Sequence, residues 1–399
     1  MAGLISTAAA SNGHATRAGD TSIPLALSFD DVLLVPQRSA IRSRKLVDVS
    51  TDFLPGIRLA VPIVSANTQW CTGARMAIAL ARLGGLGFVH RMQTVDQQVA
   101  QVSEVRSAAA EGEVATADSA GTLQVGAAVG VSGDYAERAD RLVTAGASAL
   151  LVDVAHGHAD YVIDVVRELK TRYPDVPLVA GNVATAAGTR DLAEAGADAV
   201  KVGIGPGGVC TTRLVAGSGV PQLSALLDCG QQARISGVPL IADGGIRTSG
   251  DIAKALAAGA AVVMAGSALA GADESEARPV RENGRQLKVS RGFATLGMDL
   301  TLKLAADQTV SAEEVERYVP EGVEMTFLPT GPLAGTVHQL VGGLRSAMTY
   351  SGAATLDDLR QRASFVRVTG AGRAENGPHA RDRAPQLALD YRGEAARGE

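Results

Sequence analysis

The sequence predicts an α/β fold, a (β/α)8 barrel of the TIM type, in which eight parallel strands alternate with helices. Two observations carry this prediction. Near-continuous apolar runs, typical of buried parallel strands, recur at residues 61–67, 86–90, 123–129, 149–155, 177–183, 199–205, 239–245 and 261–267. The stretches between them carry apolar residues at helical spacing, as in residues 161–169 and 252–256. An open doubly wound sheet is the alternative, but its fingerprint, Gly-x-Gly-x-x-Gly after the first strand, is absent.

Composition limits the partners. A chain of 399 residues, 46% of them hydrophobic, has room for several domains or one large barrel. The formal net charge of -5 and the lack of any Lys/Arg-rich block argue against nucleic acid or an anionic membrane as partner. No apolar run is long enough to span a bilayer and no signal pattern begins the chain, so we expect a soluble protein.

The expected domain organisation is simple. Residues 1–25 are predicted to be a disordered leader, and residues 373–399 a charged, mobile C-terminal tail. Residues 26–372 are predicted to form a single barrel domain. A long excursion after the eighth strand, at about residues 273–330, is predicted to be an active-site flap.

Residues 203–213, Gly-Ile-Gly-Pro-Gly-Gly-Val-Cys-Thr-Thr-Arg, follow the sixth predicted strand and hold Cys210. Four glycines and a proline cannot continue a strand, so the chain turns sharply there. A lone cysteine is more often a small core residue than a nucleophile. Here Thr211, Thr212 and Arg213 give a polar setting with a cation close in sequence, which is the setting of a reactive thiol. We therefore interpret Cys210 as a nucleophile on an irregular loop.

The other two cysteines, Cys71 and Cys229, lie far from Cys210 in sequence and lack metal-ligand spacing. An odd, dispersed set of three predicts neither a disulfide framework nor a zinc site. A reducing, cytoplasmic location fits this cysteine usage.

Polar residues and glycines also follow other predicted strands, as in residues 153–158, 182, 243–245 and 266–267. Ordinary turns are rich in the same residues, and one such loop would be interpreted that way. Because the C-terminal ends of all barrel strands open onto one face, these groups together with the cysteine loop predict a functional site there.

The chain resembles the family of inosine monophosphate dehydrogenases and guanosine monophosphate reductases from about residue 28 to about residue 372. The resemblance rests on the order of several motifs: Ser-Phe-Asp-Asp-Val-Leu-Leu-Val-Pro at 28–36, the cysteine loop, Ala-Asp-Gly-Gly-Ile at 242–246, Val-Pro-Glu-Gly-Val at 319–323 and Gly-Gly-Leu-Arg at 342–345. It implies a barrel enzyme that moves a hydride between purine C2 and a nicotinamide. Family dehydrogenases generally insert a regulatory CBS domain after the second strand; residues 93–122 leave no room for one, so none is expected here.

The resemblance implies catalytic roles for three residues. Cys210 would attack purine C2 and split a hard substitution into two easier steps. Thr212 and Glu321 would relay the proton when ammonia leaves. The alternative for Glu321 is a solvated loop carboxylate, the default for glutamate.

The resemblance also implies binding residues. Asp243 would hold the ribose, and residues 244–245 and 266–267 the phosphate. The full set of implied substrate contacts is Gly208, Asp243, Gly244, Gly245, Gly266, Ser267, Gly292, Phe293, Ala294 and Thr68. Implied contacts to the nicotinamide cofactor are Asp153, Asn182 and Gly203. The carbonyls of Gly205, Gly207 and Cys210 match those that ligate potassium in the dehydrogenases.

One departure from the family pattern favours the reductase. Dehydrogenases activate water with an Arg-Tyr pair on the flap, whose place is taken here by Gln308 and Thr309. The Arg-Tyr at residues 317–318 comes too late in the flap to be the same element. Neither Gln nor Thr is a base at neutral pH. Reductive deamination is therefore expected, with NADPH as donor by family analogy, or NAD if the chain is a dehydrogenase.

Other departures concern the substrate. Thr68 stands where a methionine normally touches the base, and Gly208 and Ser290 replace a serine and a phosphate-binding tyrosine. Phe293 and Ala294 reshape the wall beside the base. These changes suggest a purine nucleotide other than plain GMP, such as a 7-deazaguanine nucleotide.

Two other functions remain as alternatives. An IMP dehydrogenase would need Glu321 and Thr212 to activate water in place of the missing arginine. A non-catalytic nucleotide-binding relative would have no need of Cys210 together with its relay. Whichever of these functions the chain has, the resemblance implies a homotetramer.

Overall fold

Eight parallel strands close into a barrel in chain order, each hydrogen-bonded to the next and the last to the first. The computed structural model describes residues 23–291 and 322–377. The strands are β1 (Ile63–Ser65), β2 (Leu86–Val89), β3 (Gly126–Val129), β4 (Ala149–Asp153), β5 (Leu178–Val183), β6 (Ala199–Val202), β7 (Leu240–Asp243) and β8 (Val262–Ala265). The predicted (β/α)8 barrel is confirmed, and the open sheet is excluded.

A helix follows each strand and packs on the outside of the barrel. These helices are α1 (Ala74–Arg82), α2 (Val95–Ser107), α3 (Tyr135–Thr144), α4 (Asp160–Arg172), α5 (Ala186–Glu194), α6 (Gln222–Ser236), α7 (Ser249–Ala257) and α8 (Leu333–Tyr350). In α4 the buried residues are Val162, Val165, Val166 and Leu169. This spacing of three and four residues places one apolar stripe against the sheet. A short helix, Thr212–Val215, precedes α6.

A hairpin covers the N-terminal end of the barrel. Its strands, Thr51–Leu54 and Ile57–Leu59, pair antiparallel. Gln124, just before β3, donates a hydrogen bond to the carbonyl of Gly56 at 3.0 Å. Phe53 and Leu59 are fully buried there. This apolar cover seals the end of the barrel opposite the predicted site.

A second antiparallel pair ties the two ends of the barrel domain together. Val32–Leu34 pairs with Phe365–Arg367. A 3-10 helix, Phe29–Asp31, precedes the first of these strands, and the helices Leu356–Arg362 and Gly370–Ala374 flank the second. Arg373 forms an ion pair with Asp30 at 2.7 Å, so the chain is held against the barrel as far as that residue. The leader and tail boundaries stay predictions.

The connection from β2 to β3, residues 90–125, contains helix α2 and two isolated antiparallel bridges, Ala109–Thr122 and Ala117–Leu123. After β8 the chain forms a three-stranded antiparallel sheet of Arg278–Glu282, Arg285–Arg291 and Glu324–Phe327. These strands are the described parts of the predicted flap. Residues 292–321 of the flap lie outside the described residues.

No helix in the described ranges is long and apolar enough to cross a membrane.

Candidate active site

Cys210 lies on the loop between β6 and the short helix Thr212–Val215, and its side chain is partly exposed. Its N–H donates to the carbonyl of Gly207 at 3.1 Å and closes a tight turn. The Cys210 Sγ is 3.2 Å from the Thr212 Oγ1. A thiol and a hydroxyl at this distance can exchange a proton with each other and with a group bound above them.

The returning flap strand approaches the same loop. Gly322 pairs with Cys210 as an isolated antiparallel bridge, and the N–H of Val323 donates to the carbonyl of Val209 at 2.9 Å. Glu321 directly precedes Gly322 in the sequence and lies outside the described residues. The same holds for Gly292, Phe293, Ala294, Gln308 and Thr309.

The Arg213 side chain holds the backbone of the cysteine loop through hydrogen bonds. Its guanidinium donates to the carbonyls of Val220 at 2.6 Å and Ile204 at 3.4 Å. Burial lowers the pKa of Arg213, and the charge of Cys210 opposes this shift. The arginine is therefore within electrostatic reach of the thiol, as the sequence indicated, but its hydrogen bonds hold the backbone of the loop.

Glycines let the loops after β6 and β7 touch. Gly203 has φ +150°, and a Cβ there would lie 2.0 Å from the carbonyl oxygen of Asp243. Gly244 has φ +94°, and a Cβ there would lie 2.7 Å from the Cγ of Pro206. Side chains at these positions would push the loops apart. The motif glycines thus serve close approach of the two strand ends.

Gly208 and Ser267 bring β6 and β8 together in the same way. A Cβ on Gly208 would lie 3.2 Å from the Ser267 Oγ. Gly245, with φ +78°, completes the turn after β7. The residues expected to bind phosphate, 244–245 and 266–267, therefore border the cysteine loop from two sides.

Asp243, Asn182 and Gly203 form a hydrogen-bonded group at the ends of β7, β5 and β6. The Asn182 Nδ2 donates to the Gly203 carbonyl at 2.7 Å and to the Asp243 Oδ2 at 2.9 Å. The Asn182 Oδ1 is buried and has no hydrogen-bond partner among the described residues. This oxygen keeps unused acceptor capacity, but the surrounding groups cover it.

Lys201, in β6, was not singled out from the sequence. Its Nζ lies 2.7 Å from the Asp153 Oδ1 and 2.6 Å from the Asp243 Oδ2. Burial alone would raise the pKa of Asp153, but the charge and hydrogen bond of Lys201 outweigh it and the pKa ends lower. The two carboxylates raise the pKa of Lys201 despite its burial. These pKa shifts keep Asp153 and Lys201 charged at neutral pH.

The loop after β1 forms another wall. Gly266 packs on Trp70, since a Cβ on Gly266 would lie 3.1 Å from the indole ring. The Trp70 ring also meets Phe327 of the flap sheet, with centroids 6.2 Å apart. Thr68 Oγ1 and Trp70 Nε1 are buried without a hydrogen-bond partner in the described ranges, and so is Ser290 Oγ. Trp70 was also missed, because a tryptophan in a loop is usually a packing residue.

Two cysteines stay in the core. Cys71 and Cys229 are fully buried and free. Burial raises the pKa of the Cys71 thiol to about 11 and that of Cys229 to about 12. Of the three thiols, Cys210 is the one with access to solvent.

Fold and site together define a class of protein, a (β/α)8 barrel with a cysteine loop and a buried carboxylate–lysine group at the C-terminal face. The family model "IMP dehydrogenase / GMP reductase domain" matches residues 26–379. The chain belongs to the IMP dehydrogenase / GMP reductase family, whose members are oxidoreductases of purine metabolism.

Relatives of both kinds are similar to the chain. A GMP reductase of Leishmania major is 37% identical over 480 positions, covering 90% of this chain and 97% of the relative. An inosine-5'-monophosphate dehydrogenase of Halalkalibacterium halodurans is 38% identical over 466 positions, covering 88% of this chain and 95% of the relative. Both alignments exceed the 399 residues of this chain, so part of each relative has no counterpart here.

A solved structure has the same fold. A cysteine-to-alanine variant of GMP reductase from Trypanosoma brucei, in complex with guanosine 5'-monophosphate, superimposes with a TM-score of 0.84 at 36% identity. The match covers 90% of this chain and 98% of the solved chain.

Proposed function

We propose that this protein is a purine ribonucleotide reductase of the GMP reductase type. It would catalyse reductive deamination at purine C2 and convert GMP, or a modified guanine nucleotide such as a 7-deazaguanine nucleotide, to the IMP-type product and ammonia. The observation that carries this proposal is the Cys210 Sγ, 3.2 Å from the Thr212 Oγ1, on a loop at the mouth of the barrel. That pair supplies a nucleophile and a proton carrier at one point.

The chemistry assigns one step to each group. The Cys210 thiolate bonds to C2, and the amino group leaves as ammonia with a proton delivered through Thr212 and, by resemblance, Glu321. The resulting thioimidate carries its carbon–sulfur bond at C2. NADPH, when bound, would supply the hydride that reduces C2, and the carbon–sulfur bond would then break and release the Cys210 thiolate.

The residues present fit a nicotinamide. The unpaired Asn182 Oδ1 would accept a carboxamide N–H if cofactor binding uncovered it. Asp153 is an ionised carboxylate on the same face of the barrel, suited to ribose hydroxyls. Asn182, Asp153 and Gly203 would therefore orient the nicotinamide beside C2. The choice of NADPH over NADH follows from the family's reductases.

The flap sequence favours the reductase over the dehydrogenase. Gln308 and Thr309 stand where the dehydrogenases carry Arg-Tyr, and neither can activate water at neutral pH. IMP dehydrogenase is the second candidate, because relatives with that name are as similar to this chain as the reductases are. It would produce XMP and NADH from IMP, NAD and water.

The walls of the site support a substrate other than plain GMP. Thr68, Trp70 and Ser290 each bury a polar atom with no partner in the described residues. Leaving such atoms unpaired costs about 1–3 kcal/mol each. A ligand with additional polar groups, such as a substituted 7-deazaguanine base, would gain affinity from them if its binding displaced the groups that cover them.

The remaining expectations belong to the same proposal. Potassium would sit on the carbonyls of Gly205, Gly207 and Cys210; the Gly207 oxygen already accepts one N–H and keeps a second lone pair. We expect a cytoplasmic homotetramer without a CBS domain that binds neither nucleic acid nor membranes.

The test is an absorbance assay at the band of the reduced nicotinamide. GMP and a 7-deazaguanine nucleotide are each supplied with NADPH, and IMP is supplied with NAD in parallel. Loss of NADPH with a guanine-type nucleotide is the expected result. Turnover of IMP alone would assign the dehydrogenase, and binding without turnover of any pair would assign a non-catalytic protein.

Cysteine variants provide the matched control. Cys210→Ala should lower turnover more than about a thousandfold, as loss of a nucleophile does, and should still bind nucleotide. Cys71→Ala removes a buried thiol outside the loop and should retain turnover. An active Cys210→Ala enzyme would remove the covalent mechanism.

A further inference from the structure

Lys201 links three strands of the barrel through one ammonium group. It lies in β6 and is 3% exposed, with Asp153 of β4 on one side and Asp243 of β7 on the other. To reach Asp153 its side chain must cross β5. It does so at Gly181, where a Cβ would lie 2.6 Å from the Lys201 Cβ. The missing side chain at residue 181 therefore makes this contact possible.

The two carboxylates share this counter-ion unequally. The side chain of Asp153 is 11% exposed and that of Asp243 is 23% exposed. The Asp243 Oδ2 accepts from both Lys201 and Asn182. Its Oδ1 has no hydrogen-bond partner in the described part of the chain, so Asp243 is the member that can receive a ligand.

Other charged and polar groups surround the deeper member. Arg91, on the loop after β2, and Asn67, after β1, also lower the pKa of Asp153, although each contributes less than Lys201. Beyond Arg91 lie Arg138 and Asp134. Among the described residues, Lys201 forms ion pairs with both carboxylates.

We propose that Lys201 is a positioning residue whose shared charge lets Asp243 bind a nucleotide although the carboxylate of Asp153 lies close to it. The contacts of Lys201 and Asn182 fix the Asp243 Oδ2, so that Oδ1 is left to bind a ligand hydroxyl. This inference rests on the proposed function for the identity of the ligand, a purine ribonucleotide.

The consequence appears when Lys201 is removed. Lys201→Met leaves two carboxylates of like charge close together in a buried place, where one of them takes up a proton. The more buried Asp153 then titrates with a raised pKa. At a pH below that pKa, Asp153 is neutral, and Asp243 binds the nucleotide without a charged neighbour. At a pH above it, the two carboxylates repel each other and distort the site. Nucleotide affinity of this variant should therefore fall as the pH rises, whereas the wild type should not show this loss.

The experiment measures the dissociation constant of GMP, and of IMP, by calorimetry between pH 6 and pH 9 without cofactor. We expect Lys201→Met to bind about 100-fold more weakly than wild type at the upper pH, as broken buried pairs do, and to recover at least about tenfold as the pH falls by one to two units. Lys201→Met combined with Asp153→Asn removes one charge of each sign and should regain most of the affinity and lose the pH dependence. Lys201→Arg keeps the charge and should bind without a pH dependence of its own.

Lys170→Met is the matched control. Lys170, in α4, forms an ion pair with Asp198 at 2.8 Å. Asp198 directly precedes β6, so this pair lies at the N-terminal end of that strand. This variant should bind as the wild type does at every pH. Comparison at equal pH also cancels the titration of the ligand's own phosphate.

Two outcomes would overturn the proposal: wild-type affinity of Lys201→Met at the upper pH, or a double variant as weak and pH-dependent as the single one. The first outcome would show that Lys201 does not position Asp243. The second would show that the weaker binding comes from loss of the aliphatic part of the lysine side chain and not from loss of its charge.

Failure of the proposed function has a different signature, in which the wild type binds neither nucleotide. Thermal unfolding without ligand then decides about Lys201. Because the folded pKa of Asp153 is raised in Lys201→Met, the stability of this variant relative to wild type should fall as the pH rises, and Asp153→Asn should abolish that trend. A parallel profile for the single variant and the wild type would contradict the shared charge.

Discussion

The two ends of the barrel differ in what they bury. The N-terminal end is closed by the hairpin of residues 51–59, whose inward side chains, Phe53, Leu54, Ile57 and Leu59, are apolar. The C-terminal end buries Lys201, Asp153 and Asn182 in one hydrogen-bonded group. Apolar burial stabilises the fold without further conditions, whereas buried charges are costly unless each is paired. The buried charges at the C-terminal end are therefore more easily explained by a functional role than by a contribution to stability.

The largest effect should come from the apolar end. Phe53→Ala removes a ring that is 1% exposed, and deletions of this kind cost about 3–5 kcal/mol. Chemical unfolding should show this loss of free energy, while kcat and KM stay at their wild-type values below the unfolding transition. A change in KM without loss of stability would show that the hairpin influences the distant site.

At the C-terminal end we expect the opposite result, a loss of turnover with little loss of stability. Thr212→Val keeps the shape of the side chain and removes the hydroxyl beside Cys210, so turnover should fall about 100-fold, as for loss of a proton carrier. The free energy of unfolding should change by less than about 1 kcal/mol because the residue is partly exposed. Thr211→Val is the neighbouring control, and an equal loss of turnover in both variants would argue against a specific role for the Thr212 hydroxyl.

The smallest effect is expected for Thr185, a residue that lies near the candidate site but has a structural role. Thr185 also lies at the C-terminal end, after β5, but its hydroxyl accepts the N–H of Gly188 at 3.2 Å and caps helix α5. Thr185→Ala should cost about 1 kcal/mol of stability and leave turnover unchanged. Thr185→Ser, which keeps the cap, should restore the stability. If Thr185→Ala lowers kcat, proximity to the barrel mouth matters more than we infer.

The strands were predictable because each is a short apolar run between helical stretches, and all eight were found. The strand ends were predicted less well: the first apolar run covers residues 61–67, but β1 spans only Ile63–Ser65. The pairs formed by Val32–Leu34 with Phe365–Arg367 and by the N-terminal hairpin were not predicted. Such strands are short, and their pairing depends on partners distant in sequence or on a local turn without a strong signal.

The candidate site was predictable where a motif marks it and hidden where only contacts do. Cys210 and Asp243 stand next to glycine-rich turns that sequence alone reveals. Lys201 stands inside an apolar run, and nothing beside it in sequence indicates that its charge is paired. Asp153 and Asp243 come from other strands, so the lysine becomes recognisable as part of the site when the barrel closes.

The sequence by itself determined the barrel, through the period of its apolar runs, and the place of the cysteine loop, through glycines that cannot continue a strand. The tertiary structure decided which charges share a counter-ion and which of the three thiols reaches solvent. The physical reason is that periodicity and turn chemistry are local properties of the chain. Burial and electrostatic pairing depend on distances between strands that are set only when the barrel has closed.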